Sequence, residues 1–585
     1  MSASPQPTLP ASRGEPATVA RRISRSQLRA PAAEGGLLQI PPLAGLPVVA
    51  QANARGFQML RCGGDWLEDF RPCADERHSV RIEVWQAAEG WTKRLLTAAG
   101  HSDGSRTFGA ERGWQFSPPL SVSKLWLVTG HQPALFHPGV WIKNFAVTAL
   151  ARRLGDAVGL NLIVDNDVAP TPSLLVPSGS LSAPRWESLA YDTTPGAAPW
   201  EEIRVTDRNL FESFGGRVGQ VLAPWGIAPL AVEFWPRVLQ AEQALNNPGW
   251  AFSAARAATE WSWGAGNLEL PLSGLCQLPC FHRFVVRLLN QLPRFHAVYN
   301  RALADYRQVY RIRSRTHPVP DLRSDQDWLE APFWVWCQGE RQRRRLMVRR
   351  VADRLELSDG RATLDALPSG VAGLPTAVVV LQRLATRGIR LRTRALTTTL
   401  FSRLYLSDLF VHGIGGAKYD EMTDQIIRDF CQMDPPPFAT LSATLRLPLP
   451  SLPVNSQTVR QLKHTLRSAE QHPGSSLDHP DSPRTNALLS ELSGLIAEQQ
   501  AVRRGEQTAG HLAGAGPLRY RRFHEIRQEL RAATAETRER LVGQLVEAER
   551  QLAANRILRS REYAFCLFPP HQLRSFVEDA CDTIE

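Results

Sequence analysis

The chain has 585 residues, of which 43% are hydrophobic and 21% are charged, a composition ordinary for a soluble globular protein of two or three domains. It contains no run of 18 apolar residues and no apolar segment close to Met1, so we expect no membrane span, no secretory signal and a cytoplasmic location. The formal net charge of +11 favours nucleic acid or an anionic small molecule as a partner.

The first segment, residues 1–45, is rich in Ala, Pro, Ser and Arg and shows no hydrophobic periodicity. We therefore expect a disordered tail, with a transit peptide or an RNA-contacting arm as alternatives because several arginines stand there with few acids. The main body follows. In it, residues 80–85 alternate in the manner of a β-strand.

The clearest unit lies in residues 46–200, which we interpret as the first part of the core. An apolar run at residues 125–128 predicts a buried strand, and a polar loop leads to Pro138, which is placed like the first residue of a helix. Helical spacing of apolar residues follows, and residues 160–164 form a second apolar run. This order predicts a βαβ unit, whose two strands are parallel.

Residues 201–330 alternate amphipathic helical stretches with Gly and Pro, so we expect a helical connective insertion. Residues 331–450 return to alternating elements and are interpreted as the second part of the core. Residues 333–336 and 346–348 resemble paired strands, and residues 409–412 form a short strand before a glycine-rich loop and a helix. The predicted fold is α/β, with a doubly wound, Rossmann-like parallel sheet.

Residues 455–556 are polar and helical, with leucines at helical spacing on both sides of a glycine-rich loop. One long helix is predicted at about residues 518–556. We expect an α-helical hairpin, or coiled coil, formed by antiparallel helices. The last segment, residues 557–585, begins with an apolar stretch and is expected to dock on the core.

The numbers of lysines and cysteines in the chain lead to two further expectations. Five of the 68 basic residues are lysines, so each lysine is worth locating: Lys93, Lys124, Lys143, Lys418 and Lys463. The eight cysteines are dispersed along the chain, and we expect reduced thiols.

Polar residues follow both strands of the βαβ unit, where ligands of parallel sheets bind. Glycine at the first strand end allows close approach of a ligand, and the histidine after it could donate to a phosphate or act as an acid. The carboxylates at the second strand end could bind an amine, ribose hydroxyls or Mg²⁺. A glycine turn and an Asp-rich turn without function are the alternatives. These candidates are Gly130, His131, Gln132, Asp165, Asn166 and Asp167.

A second candidate follows the strand at residues 409–412. Backbone N–H groups of the glycine-rich loop could hold a phosphate or carboxylate, with a lysine as a point charge and two further side chains on the first helical turn. The spacing is not that of a Walker A motif. The candidates are Gly413, Gly415, Gly416, Lys418, Tyr419 and Asp420, together with Arg392 and Arg394 upstream, which suit a carboxylate or are surface arginines.

Two other features are given less weight. Cys276 and Cys280 with His282 have a loose spacing and apolar surroundings, so we predict no metal site there. The arginines of residues 341–350 indicate a solvated pair of strands, with an RNA-binding patch as the alternative.

The order of motifs resembles one family, the cysteine-adding enzymes of bacillithiol biosynthesis, which are related in fold to class I synthetase-like nucleotidyltransferases. TGHQPALF, then DND, then strand–GIGG–helix, then a helical hairpin, cover most of residues 120–575. His131, Asn166 and Lys418 depart from the family pattern, which has Gln, His and Glu there. The exchange of a carboxylate for a lysine suggests a different charge on the substrate. The matching positions are Thr129, Gly130, Gln132, Leu135, Phe136, Asp165, Asp167, Gly415 and Gly416.

The resemblance implies a ligase that joins the carboxyl of cysteine to the amine of an amino-sugar conjugate, and a coiled coil that can mediate a homodimer. For such a reaction His131 and Lys418 are suitable donors to the carboxyl oxygen, and Asp165 or Asp167 could orient the amine and accept its proton. ATP or ADP with Mg²⁺ is compatible with an adenylate-type reaction. The alternatives are an RNA- or nucleotide-binding protein without catalysis and a scaffold with a vestigial site.

Overall fold

The computed structural model describes residues 28–61, 69–101, 124–193, 196–314, 316–472, 483–504 and 515–582. The strands in these ranges are β1 (Leu37–Ile40), β2 (Leu125–His131), β3 (Ala157–Ile163), β4 (Ser173–Ser180), β5 (Ala183–Ala190), β6 (Leu268–Pro271), β7 (Ser324–Asp325), β8 (Trp328–Cys337), β9 (Arg344–Val351), β10 (Arg354–Ser358), β11 (Thr363–Pro368), β12 (Ile389–Thr393), β13 (Leu409–His412) and β14 (Ala439–Ala443).

The helices of the same ranges are α1 (Leu46–Met59), α2 (Ala74–Ala98), α3 (Pro138–Leu154), α4 (Arg208–Leu222), α5 (Ala231–Leu245), α6 (Pro248–Ser262), α7 (Leu272–Leu275), α8 (Pro279–Asn290), α9 (Leu292–Val309), α10 (Leu374–Thr386), α11 (Ala395–Phe401), α12 (Ile414–Phe430), α13 (Ser456–Gln471), α14 (Pro483–Arg503), α15 (Ala515–Ala533), α16 (Ala535–Leu558) and α17 (Pro570–Asp582). A π-helical turn, Ser402–Leu406, continues α11. No helix of the described residues is long and apolar enough to cross a membrane.

The fold is α/β, and its core is a six-stranded sheet in the order β1-β14-β13-β2-β3-β6. All neighbours in this sheet are parallel except β1, which runs antiparallel to β14. The predicted βαβ unit is confirmed as β2–α3–β3. The helix α3 buries Trp141 and Phe145 on one face of the sheet, against Leu127 of β2. The helix α12 buries Phe430 on the other face, on the same side as Val128.

Two segments at the start of the chain differ from the prediction. Residues 80–85 lie inside α2 rather than in a strand, because Val80, Val84 and Ala88 recur at the spacing of one helix face and are buried together. Residues 1–27 of the predicted disordered tail lie outside the described residues. The remainder of that segment contains β1, which pairs with β14 and forms the edge of the core sheet.

The segment expected to be a helical insertion also supplies a strand of the core sheet. It contains α4, α5 and α6, but β6 pairs with β3 at the edge of the sheet. The stretch Leu268–Pro271 is only four residues long and is buried on all sides. A short apolar run of this kind does not alternate, so its sequence does not distinguish a buried strand from part of a helix.

The segment expected to complete the core instead begins with a second sheet, in the order β11-β10-β9-β8-β12. Its strand pairs are antiparallel, and the predicted pairing of residues 333–336 with residues 346–348 is confirmed as the β8–β9 pair. Only β13, α12 and β14 of this segment return to the core. The local sequence pattern predicted the strands at residues 333–336 and 346–348 correctly. A local pattern does not show which sheet a strand joins.

The C-terminal helices form two antiparallel pairs, α14 with α15 and α13 with α16. Ion pairs Arg484–Glu529 and Glu491–Arg522 show the antiparallel direction, and Lys463 pairs with Glu549. The long helix predicted at residues 518–556 is interrupted between α15 and α16 at Thr534. After these helices the chain packs on the core.

The cysteines correct one further expectation, since Cys73 is disulfide-bonded. The free thiols of the described residues are Cys276, Cys280, Cys337, Cys431, Cys566 and Cys581.

Candidate functional site

The carboxyl ends of β13, β2 and β3 lie side by side at one edge of the core sheet. Val411 of β13 is in register with Thr129 of β2, and His131 of β2 is in register with Ile163 of β3. The crossover from β2 covers one face of the sheet and the crossover from β13 covers the other, so the chain reverses its winding between these two strands. Such a reversal leaves a crevice at the strand ends, where ligands of parallel α/β sheets bind.

The sequence therefore predicted correctly which segments converge. The loop that begins at Gly130 and the loop that begins at Gly413 lie on the two sides of this crevice, and Asp165 to Asp167 follow β3 on the far side of β2. Among the residues of these segments, some are accessible to a ligand, whereas others are buried and have their hydrogen bonds satisfied within the protein.

At the end of β2, His131 is held by its own loop. Its ring packs edge-on against Phe136 with 4.2 Å between centroids, and Nδ1 lies 3.0 Å from the carbonyl oxygen of Gln132. Burial lowers the pKa of His131 well below its ordinary value, and the nearby charges of Lys143 and Arg256 lower it further. A lowered pKa favours the neutral imidazole, which disfavours the acid role predicted for His131 but leaves one N–H as a donor, so the donor role stays a prediction.

The glycine at position 130 allows β2 to lie close to the neighbouring strand. A Cβ built there would lie 3.0 Å from the backbone oxygen of Leu162, on the neighbouring strand β3. The close approach of the two strands therefore favours glycine at this position.

Lys143 lies beneath this loop and was missed by the sequence reasoning. It is on α3 with its side chain only 3% exposed, and Nζ donates a hydrogen bond of 2.9 Å to the carbonyl oxygen of Gly130. Burial lowers its pKa from 10.5 to about 7. The available signal was its place between Ile142 and Asn144 on an apolar helix, in a chain with five lysines.

At the end of β3, Asp165 is a structural residue. It is fully buried, and its carboxylate accepts hydrogen bonds from the backbone N–H and the hydroxyl of Ser273 and from Nε1 of Trp250. Burial raises its pKa, and these donors oppose that effect. Because its oxygens are already engaged, the contacts favour a structural role for Asp165, and the catalytic role predicted for it stays a prediction.

Asn166 is also occupied. Its Nδ2 donates 2.8 Å to the carbonyl oxygen of Thr393, and its own carbonyl accepts from Nη1 of Arg343 at 2.9 Å. Asn166 thus joins the core to the second sheet through its Nδ2 and its backbone oxygen, and the substrate-binding role predicted for it stays a prediction.

Asp167 is the accessible member of this group, with 41% of its side chain exposed. One carboxylate oxygen accepts from Nε2 of Gln132 at 2.5 Å, which bridges the ends of β3 and β2. The other oxygen lies 3.2 Å from Nη1 of Arg343 and accepts from the backbone N–H of Val168 at 2.8 Å. The predicted pair Gln132 and Asp167 is therefore brought together, with Arg343 as a cation that the sequence reasoning did not select.

The two aspartates do not form a Mg²⁺ site. Mg²⁺ needs an octahedral set of oxygen ligands, but Asp165 is saturated by Ser273 and Trp250 while Asp167 faces the cation Arg343. Within the described ranges, no group of three or more His, Cys, Asp or Glu side chains is arranged to hold a metal ion.

The two arginines upstream of β13 form ion pairs with glutamates of the protein. Arg392 is buried and makes a bidentate pair with Glu201, at 2.8 and 2.7 Å. Burial raises the pKa of Glu201 to about 7, although Arg392 opposes the effect. Arg394 donates to the buried carboxylate of Glu330, while its guanidinium stacks 4.1 Å from the ring centre of Trp334. The bidentate pair with Glu201 favours a structural role for Arg392, and the substrate-binding roles predicted for Arg392 and Arg394 stay predictions.

The glycine-rich loop opens α12 as predicted. Gly413 is the N-cap residue, and no side chain of the described residues caps this helix, so the first backbone N–H groups are left for a ligand or solvent. A Cβ at Gly413 or Gly415 would meet nothing within 4 Å. The ammonium group of Lys418 has no hydrogen-bond or ion-pair partner among the described residues, although its backbone oxygen accepts from the hydroxyl of Tyr306 at 2.7 Å.

The next two residues have different environments. Tyr419 is half-buried, with its ring 6.2 Å from that of His317. Asp420 is fully buried and accepts from Nη1 of Arg403 and from Nε2 of His412, both at 2.8 Å. Burial alone would raise the pKa of Asp420, but the charge of Arg403 and the hydrogen bond from His412 outweigh it and hold the pKa below its ordinary value. Both contacts fall on Oδ2, which indicates that Asp420 holds its neighbours in position, and the substrate-binding role predicted for it stays a prediction.

The arginines of residues 341–350 are largely paired within the protein. Arg344 binds Glu340 and Asp359, Arg349 binds Glu356, and Arg343 binds Asp167 as described above. These pairs are formed around the β-strand β9, as expected for a strand with charged residues on its surface.

No family model matches the chain, and no curated protein matches it either.

Proposed function

We propose that the chain is an amide-forming ligase that joins the carboxyl of cysteine to the amine of an amino-sugar conjugate in the crevice between β2 and β13. The proposal combines the motif resemblance with a Rossmann-like interpretation of the sheet. The observation that carries it is the position of the start of α12 beside an accessible carboxylate at the ends of three parallel strands. Within the described part of the chain, no side chain caps this helix and its Lys418 has no side-chain partner.

The β13 side of the crevice suits an anion. The first N–H groups of α12 carry the positive end of the helix dipole, and Lys418 adds a full positive charge four residues after Ile414. A carboxylate, or the phosphate of a nucleotide, is the class of group that such donors bind. Donors in this position would stabilise the negative charge that develops on the carboxyl oxygen when an amine attacks.

The β3 side suits an amine. Asp167 is negatively charged and accessible, and Gln132 and Arg343 fix the direction of its carboxylate. We propose that Asp167 orients the ammonium or hydroxyl groups of the amino-sugar. The helices α13 to α16, as a coiled coil, would mediate a homodimer.

The first experiment is a thiol profile of the host with and without the gene, using a thiol-reactive tag and mass spectrometry. Loss of one cysteine-containing thiol, with accumulation of its amine precursor, is the expected result and would identify the acceptor. An unchanged profile would contradict the proposed pathway.

The second experiment uses purified full-length protein with cysteine and the accumulated amine, with and without ATP and Mg²⁺, and detects the amide by mass spectrometry. The variants K418A and D167N should form no amide above background. K463A and D305N are matched controls, since Lys463 pairs with Glu549 on the surface of the hairpin and Asp305 is exposed on α9. Equal rates in all four variants would contradict the assignment of this crevice.

A further inference from the structure

A buried histidine and a buried aspartate form a pair at the end of β13. His412 is the last residue of β13, and its Nε2 lies 2.8 Å from a carboxylate oxygen of Asp420 on α12. Asp420 is itself held by Arg403, which also pairs with Asp424 at 2.6 Å. The imidazole lies between aromatic rings, with the centroid of Phe410 at 4.4 Å. The ring is therefore fixed in position on several sides.

The partner of Nε2 determines the tautomer. An ionised carboxylate only accepts hydrogen bonds, so Nε2 carries the proton and Nδ1 of the neutral ring is left as an acceptor. Nδ1 of His412 has no hydrogen-bond partner in the described part of the chain. It borders Gly416, at the start of α12, where a Cβ would lie only 2.6 Å from Nδ1. Glycine at this position leaves room beside the free nitrogen.

The other candidate proton acceptors of the crevice are less suitable. Asp165 is saturated by Ser273 and Trp250, and both oxygens of Asp167 already accept hydrogen bonds. His131 has cations rather than a carboxylate nearby. Nε2 of His131 also has no hydrogen-bond partner among the described residues, but only in His412 does the other ring nitrogen bond a carboxylate.

We infer that His412 is the general base of the crevice and that Asp420 is its positioning residue. This inference rests on the proposed amide-forming function. A carboxylate oxygen of cysteine first attacks the γ-phosphorus of a nucleoside triphosphate, so that the new O–P bond forms, the bond from the γ-phosphorus to the bridging oxygen breaks, and the nucleoside diphosphate leaves. The amine nitrogen then attacks the carbonyl carbon of the resulting mixed anhydride of the cysteine carboxyl and phosphate. The C–N bond forms, the C–O bond to phosphate breaks, and the phosphate leaves with that electron pair. The proton lost by the nitrogen passes to Nδ1 of His412.

The test measures amide formation by full-length H412Q and D420N. Since a positioned base contributes about 100-fold or more, H412Q should lose at least about 100-fold in kcat and regain part of it with added imidazole. H296Q is the matched control, because His296 lies on α9 and bonds the carbonyl oxygen of Arg323. A rate of H412Q within about twofold of wild type would overturn the inference while the proposed function stands. A wild type that forms no amide would overturn both.

A second variant tests the same role in case H412Q does not fold. G416A keeps the His412–Asp420 pair but places a methyl group against Nδ1, so it should lower kcat, whereas G543A, with open space around its Cβ on α16, should not. NMR of ¹⁵N-histidine-labelled protein should show His412 protonated at Nε2 alone, and D420N should alter that tautomer. An Nδ1–H tautomer in the wild type, or full activity of G416A, would overturn the assigned role.

Discussion

Replacement of Lys143 by methionine should stabilise the protein, because this lysine is buried without a carboxylate partner among the described residues. Its pKa falls from 10.5 to about 7 on folding, and burial is the cause. At about 1.4 kcal/mol per pH unit, that difference corresponds to roughly 5 kcal/mol of unfavourable free energy while the folded protein keeps the lysine charged. K143M also removes the hydrogen bond from Lys143 to the carbonyl oxygen of Gly130, and this loss destabilises the variant by about 1–3 kcal/mol. We expect K143M to raise the free energy of unfolding by about 2–4 kcal/mol at pH 6.

The sign of the pH dependence follows from the two pKa values. Below pH 7 both states bind the proton, so the folded state carries the full cost of the buried charge. Between about 7 and 10.5 the unfolded state alone holds the proton, and wild-type stability therefore rises with pH. The gain from K143M should shrink by about 1.4 kcal/mol for each pH unit above 7, or about 3 kcal/mol by pH 9.

Two measurements check this reasoning. Urea unfolding of wild type and K143M, followed by tryptophan fluorescence at pH 6 and pH 9, measures the gain and its pH dependence. NMR of protein labelled with ¹³C at lysine Cε gives the pKa directly, because the chain has only five lysines and K143M assigns the signal. K463M is the matched surface control and should change stability by less than about 1 kcal/mol. A Lys143 signal that titrates near 10.5, or a gain independent of pH, would refute the argument.

The remaining predictions separate residues of the crevice from residues of the scaffold. K418A and D167A should each abolish amide formation, and unchanged thermal unfolding would show that the fold is intact. D165A should cost about 3 kcal/mol or more in urea unfolding, because its three buried donors lose their acceptor, and an unchanged midpoint would show that Asp165 is not structural. R256M should cost about 3–5 kcal/mol, since Arg256 on α6 pairs with the buried carboxylates of Glu260 and Glu269, each at 2.7 Å. Because burial raises the pKa of Glu269 to about 7, the loss of thermal stability in R256M should be smaller at pH 5.5 than at pH 8.

Several features of the fold could be predicted because they depend on nearby residues. The βαβ unit, the strand before Gly413 and the helix after it follow from apolar runs and helical spacing within about fifteen residues. The convergence of the strand ends could be predicted as well, because parallel strands joined by helices point the same way. Residues 80–85 show the limit, since a short stretch can alternate like a strand and still lie on a helix.

The roles of individual residues depended on partners far away in the chain. Asp165 and Asp167 are two positions apart in the sequence. Asp165 is buried and hydrogen-bonded to Ser273, whereas Asp167 is accessible beside Arg343. Sequence spacing does not reveal which carboxylate has its hydrogen bonds satisfied, because the donors come from other elements.

By itself, the sequence determined the α/β class, the central βαβ unit and the segments that meet at the edge of the sheet, because these follow from local periodicity and chain direction. The tertiary structure alone decided that Lys143 is buried, that Asp420 supports His412, and that β6 joins the core sheet. Desolvation and hydrogen-bond satisfaction arise only when residues remote in sequence are packed together. For that reason the location of the crevice could be predicted from the sequence, while the chemical state of its residues could not.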